Sequence, residues 1–153
     1  MGLGQLRRYV QTALGIIFRH PLTGTSIIPV MADGQIVLIR RSDNGRWSLP
    51  GGMVNWGETM AASVDRELRE ETGLKLETIG RLVGIYSDPE RDPRFHSICI
   101  VIEVMASGTL DIQDQLEVLD VKAFELSSIP FDELSHDHSR QLHDYLSGKT
   151  VVA

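Results

Sequence analysis

Glu67, Glu70 and Glu71 stand at i, i+3 and i+4 in a stretch with helical patterning. At about 100° per residue they share one side of that helix, within roughly a third of its circumference. Carboxylates at these spacings repel one another, so helix stability does not account for three of them together. A divalent cation would reverse that repulsion, and a cluster of oxygen donors suits Mg2+ or Mn2+. The competing reading is a solvated charged face, with Arg66 and Arg69 offsetting the glutamates. The preceding segment weighs toward chemistry. Gly51 and Gly52 let the backbone approach a ligand or metal closely. Glu58 follows, and Arg66 is placed to pair with it and hold the loop against the helix. Such a site could take a diphosphate, because a bound metal would neutralise and orient it and lower the pKa of an attacking water.

These residues need a frame. Thr59 fits an N-cap, the helix runs over 60–72, and Gly73 fits its C-terminal stop. Met60, Ala61, Val64 and Leu68 give it an apolar stripe beside the carboxylates. Upstream, a helix is expected over 3–18, with Leu6, Tyr9, Val10, Leu14 and Ile17 near one side, ended by Pro21. Strands are expected over 25–30 and 35–41, joined by a turn at 32–34. A short extended piece covers 47–50, since the residue before Pro50 avoids the helical region. Further strands are expected over 76–87, 96–105 and 118–124, and a last helix over 137–146. Strands mixed with helices imply an α/β sandwich with helices on both faces of one mixed sheet.

A chain of 153 residues suits one compact domain. Fifteen basic residues against 21 acidic ones leave a formal net charge of −6. That speaks against a nucleic-acid partner, whose footprint is a basic face, but not against a nucleotide bound with cations. The single cysteine, Cys99, cannot form an internal disulfide or a zinc cage and reads as a small apolar strand residue. The apolar run 10–18 is too short to span a bilayer and carries no cleavage signal, so no membrane partner is expected and the cytoplasm is the expected location.

The pattern Gly52-x5-Glu58-x7-Arg66-Glu67-Leu68-x-Glu70-Glu71-x-Gly73-Leu74 matches the Nudix box at all nine of its defined positions. The chain thus resembles the Nudix hydrolases. The resemblance implies a Nudix-type α/β/α sandwich with a mixed central sheet. It implies a single Nudix hydrolase domain over 1–153, with 1–20 as an N-terminal helical extension. It also implies an enzyme acting on phosphoric anhydride bonds with Mg2+ or Mn2+. Carried over residue by residue, Glu67, Glu70 and Glu71 are the expected metal ligands, joined by the backbone carbonyl of Gly51. Glu58 and Arg66 are expected to orient them, with Gly52 and Gly73 as structural glycines. The general base varies within the family. Here Glu67 and Glu70 are candidates, as is Glu117, which is also a candidate metal ligand; the alternative for Glu117 is a solvated loop acid. Dimers are common in the family, and the N-terminal helix could serve a homodimer interface.

The stretch Tyr86-Ser87-Asp88-Pro89-Glu90-Arg91-Asp92-Pro93-Arg94 resembles the loop of ADP-ribose pyrophosphatases, with Pro89 standing 15 residues after Leu74. Arg91 and Arg94 suit phosphate, since guanidinium binds it in a bidentate fashion. Arg41 is a further candidate for phosphate, and Tyr86 one for stacking on a base. The alternative is a rigid proline-rich turn. The loop then departs from the family's usual Gly-His with Phe95-His96. Packing is the commoner role for Trp47 and Trp56, and a polar helix start the commoner one for His136 and His138. The substrate expected first is ADP-ribose, split to AMP and ribose 5-phosphate. One alternative is a (deoxy)nucleoside triphosphate pyrophosphatase that sanitises nucleotides. The other is a non-catalytic nucleotide-sensing module, which usually goes with a degraded box.

Overall fold

The computed structural model describes residues 3–153; residues 1 and 2 of the expected extension lie outside it. Seven strands form one mixed sheet: β1 Leu22–Val30, β2 Ile36–Arg41, β3 Trp47–Ser48, β4 Lys75–Tyr86, β5 Ser97–Ser107, β6 Val118–Phe124 and β7 Val151–Val152. The order is β3-β2-β1-β5-β4-β7, with β6 also paired to β2. β1/β5 and β4/β7 are parallel and the other pairs antiparallel. Among the described residues three α-helices, α1 Leu3–Phe18, α2 Met60–Thr72 and α3 His138–Leu146, complete the α/β fold.

Successive strand residues point to opposite faces, and the core divides accordingly. Ile27, Val37, Ile102 and Val104 meet Val64 and Leu68 of α2 on one face. Ile28, Leu38, Val101 and Tyr86 meet Leu142 of α3 on the other. Val64 and Leu68 are fully buried; side chains of this size contribute about 1.5–3 kcal/mol each on burial. They dock α2 so that its glutamates lie at the border of the core. The helix starts at Thr59, whose side chain accepts from the Ala62 N–H, and stops at Gly73 in the left-handed region (φ 74°).

The expected elements are present, with shifts at their ends. Two details differ. Ala61, expected in the apolar stripe of α2, is exposed, and Ser63 is buried in its place. The two-residue β7 was not foreseen; its backbone joins the edge of β4, and two residues are too few for a periodic signal. Cys99 is buried beside the Ser26 hydroxyl, 3.2 Å away. The apolar side of α1 is exposed and belongs to neither half of the core, with Tyr9 68% and Ile17 65% accessible.

Candidate active site

One cleft of about 390 Å3 gathers the start of β1, the end of β2, the glycine loop, α2, the turn after β4, and the segments before β6 and α3. Arg41, Gly51, Gly52, Arg66, Glu67, Arg91, Arg94 and Glu117 all line it.

Glu67, Glu70 and Glu71 stand on α2. Glu71 is 4% exposed, and its Oε2 accepts the Gly51 N–H at 2.8 Å. Burial pushes its carboxyl up to about 8, and the negative charges of Glu67 and Glu117 add to that push. Glu67 is buried too, and desolvation raises it in the same direction against the pull of Arg66. Glu70 is half exposed. Arg66 is the hub. Its Nε and Nη2 donate to the two Glu58 oxygens at 2.8 and 3.0 Å, and Nη2 also to the Met53 carbonyl at 3.1 Å. Its Nη1 donates to Glu67 at 2.7 Å and to Glu70 at 3.4 Å. Glu58 also accepts the Asn55 N–H at 2.9 Å, and with Arg66 as the larger cause its carboxyl is held down at about 2. Loop 53–58 is thereby fastened to α2.

The glycines are demanded by contact. A Cβ on Gly51, at φ +148°, would fall against the Thr25 carbonyl, and one on Gly52 against the Glu67 carboxylate.

The cleft lining also carries cations. Arg41 forks onto Asp43 at 2.9 and 2.7 Å. Arg91 donates to Asp137 at 3.0 Å and to the Ser97 hydroxyl. Arg94 donates Nε and Nη2 to Asp92 at 3.0 and 2.8 Å. Each of these three guanidiniums is fixed by a carboxylate, which sets its direction.

Tyr86 requires correction. It is 1% exposed, packs in the core, and donates its hydroxyl to Asp144 at 2.8 Å. Its place on β4 turns the ring toward α3, so no base can stack on it. Trp47 packs edge-to-face on Phe124, with ring centroids 5.0 Å apart, and Trp56 is fully exposed outside the cleft lining. The cleft also holds residues that the sequence did not mark for it, Met53, Asn55, Asp92 and Phe95. Only the fold places them there. His136 and His138 line it as well. His138 is buried and accepts the Leu49 N–H on Nδ1 at 2.9 Å, while His136 takes a left-handed φ of 51°.

Among the described residues no three acidic, histidine or cysteine side chains are gathered into a ready-made metal cage. Arg66 draws Glu67 and Glu70 toward itself, and Glu71 turns to the Gly51 amide. The donor chemistry nonetheless fits a hard cation. The available atoms are carboxylate and carbonyl oxygens, and Glu67 and Glu71 are desolvated carboxyls whose charges oppose one another.

The NUDIX domain model matches residues 20–145. An ADP-ribose pyrophosphatase of Methanocaldococcus jannaschii is 37% identical over 137 residues, 87% of this chain and 78% of that protein. A putative 8-oxo-dGTP diphosphatase of Bacillus subtilis is 29% identical over 132 residues, 84% of this chain and 83% of that protein. Among solved structures, a MutT NUDIX hydrolase from Burkholderia pseudomallei superposes with a TM-score of 0.71 at 29% identity, over 82% of this chain and 98% of that one.

Proposed function

Because the chain belongs to the Nudix family of hydrolases, we propose that it is a Mg2+- or Mn2+-dependent pyrophosphohydrolase that adds water across the diphosphate of ADP-ribose, giving AMP and ribose 5-phosphate. The observation that carries this reading is one cleft lined both by carboxylates, Glu67 and Glu117, and by the guanidiniums of Arg41, Arg91 and Arg94. A diphosphate carries charge that the second can hold and a reaction that the first can serve.

In this reading Glu67, Glu70, Glu71 and the Gly51 carbonyl hold the cation, with Glu117 as a further ligand. When bound, the cation supplies charge neutralisation and an acidified water. Arg66 and Glu58 fix the direction of the α2 carboxylates and the position of loop 53–58. Arg41, Arg91 and Arg94 orient the phosphates. Glu117 faces the same cleft from the segment before β6, and its negative charge acts on Glu67 and Glu71. It is our first choice for the base that takes the proton from water, with Glu70 and Glu67 as the other candidates. The likeness to a putative 8-oxo-dGTP diphosphatase favours a second reading, cleavage of a nucleoside triphosphate to monophosphate and pyrophosphate.

Incubation with ADP-ribose and with triphosphates, with products identified, separates the two. AMP and ribose 5-phosphate are the expected products. Pyrophosphate released from a triphosphate, with ADP-ribose left intact, would overturn the first reading. Glu70→Gln and Glu71→Gln should each lower turnover by at least about 100-fold, on the scale of a lost catalytic group, with the fold retained by circular dichroism. Unchanged turnover in both would reject the assignment.

A further inference from the structure

Three large apolar side chains exposed to solvent line the cleft, Leu22 at 40%, Met53 at 52% and Phe95 at 37%, and their backbones adjoin: the Leu22 N–H donates to the His96 carbonyl, and Met53 bridges to Gly24. Scattered singly on a surface they would need no account. Here they share one concave site, with the Asn55 amide also in its lining. An apolar patch beside a side-chain amide suits a flat ring with a hydrogen-bonding edge, and neither a phosphate nor a pentose has such a face. We propose that this patch is the seat of the substrate's nucleobase, with Phe95 as the residue on which the base stacks. The proposal rests on the reading of the cleft as a nucleotide site and adds where the base lies.

Phe95 is held ready for that role. The Arg94 guanidinium lies 5.1 Å from the centroid of the Phe95 ring. Arg94 cannot swing freely, because its backbone N–H, Nε and Nη2 all donate to Asp92, at 2.9, 3.0 and 2.8 Å. On the other side, the His96 carbonyl accepts the Leu22 N–H at 3.0 Å, and His96 Nε2 lies 3.0 Å from the Ser87 carbonyl. The residues flanking Phe95 are thus both anchored, and Leu22 is tied to the same turn. A ring fixed in advance loses little freedom when a base stacks on it. Tyr86 is buried and Trp56 lies outside the cleft lining, so among the described phenylalanines, tyrosines and tryptophans Phe95 is the one that lines the cleft.

The test compares two ligands that differ in the base. AMP and ribose 5-phosphate share the phosphate and the pentose. Calorimetric titration of the full chain with each, for wild type, Phe95→Leu and Phe95→Trp, reads the base contact without turnover. Phe95→Leu should weaken AMP about 10- to 100-fold, the scale of one lost base–aromatic stack, and leave ribose 5-phosphate unchanged. Phe95→Trp should keep AMP affinity within about threefold, since it restores an aromatic face. In turnover of ADP-ribose, Phe95→Leu should raise KM and spare kcat. The proposal is overturned if Phe95→Leu weakens both ligands alike or spares AMP, or if wild type binds AMP no more tightly than ribose 5-phosphate. Base-dependent binding in a protein that leaves ADP-ribose intact would sink the proposed reaction and keep the subsite. Cleavage of ADP-ribose with no Phe95-dependent difference between the ligands would do the reverse.

Discussion

His138 and Glu71 both clasp the Leu49–Gly52 stretch, and they answer pH in opposite senses. Burial lowers His138 to about 3, well below the ordinary 6.5, with the nearby positive charges of His136, Arg41 and Arg91 as smaller causes; its neutral ring accepts the Leu49 amide. In the unfolded chain it takes up a proton near its ordinary value. The stability gained from neutral His138 is therefore present above about pH 6.5 and is lost as pH falls toward 3, at about 1.4 kcal/mol per pH unit inside that window. Glu71, raised to about 8 by burial, contributes stability that is present below its ordinary value and lost as pH rises through 8. The two trends overlap, so a difference between proteins isolates one of them. The stability gap between wild type and His138→Asn, measured by urea unfolding in chelator, should narrow by about 2 kcal/mol from pH 7 to pH 5. A gap that stays constant would show that the ring is not held neutral. The neighbouring glycines give a second contrast. Gly52→Ala meets only the far end of the Glu67 side chain, so its melting point should hold while turnover drops about 10- to 100-fold, as for other displaced ligand supports. Gly51→Ala meets backbone at a positive φ and should lose at least about 1–3 kcal/mol of stability. Thermal melts and initial rates on the same samples check both.

Helix α2 and loop 53–58 act as one element because Arg66 joins them. It bonds Glu58 with two nitrogens and also holds Glu67, Glu70 and the Met53 carbonyl. Lysine keeps the charge but not the planar fork. Arg66→Lys should therefore free the loop and lower metal affinity about 10- to 100-fold. Faster amide hydrogen exchange confined to 53–58, together with a weaker Mn2+ titration, would show it; wild-type exchange there would mean that Glu58 is held by other means. This element was the most legible part of the sequence. Its cap at Thr59, its stop at Gly73, its apolar spacing and its acidic spacing are local and contiguous, so one-dimensional reading recovers them. The guanidiniums of the cleft were legible only as residue types. That Arg41 would turn to Asp43, Arg91 to Asp137 and Arg94 to Asp92 depends on turns and on chain segments brought together by folding. Tyr86 shows the same limit from the other side: its residue type suited a base, and the pleat of β4 sent it into the core. Phe95 departs from the loop sequence of the ADP-ribose pyrophosphatases, and only the fold brings it into the cleft lining.

Across the whole molecule, the sheet sets what is essential and what is appended. Every wall of the cleft hangs from a strand or a sheet-packed helix between Leu22 and His138, and both halves of the core close without α1. None of the described helices is long and apolar enough to cross a membrane. Tolerance to truncation follows burial rather than position in the chain, and the described side chains of α1 are exposed. Removal of residues 1–19 should thus leave the midpoint of thermal unfolding within about 2 °C of the full chain at micromolar concentration, no more than the shift from about 1 kcal/mol in a domain of this size. It should also leave kcat/KM for ADP-ribose within about twofold, a change of less than about 0.5 kcal/mol. Comparative melts across a hundredfold range of protein concentration make the test sharp. A loss of several degrees that shrinks on dilution would place α1 in an interface between copies, since an interface adds stability by mass action; a loss independent of concentration would place it against its own core.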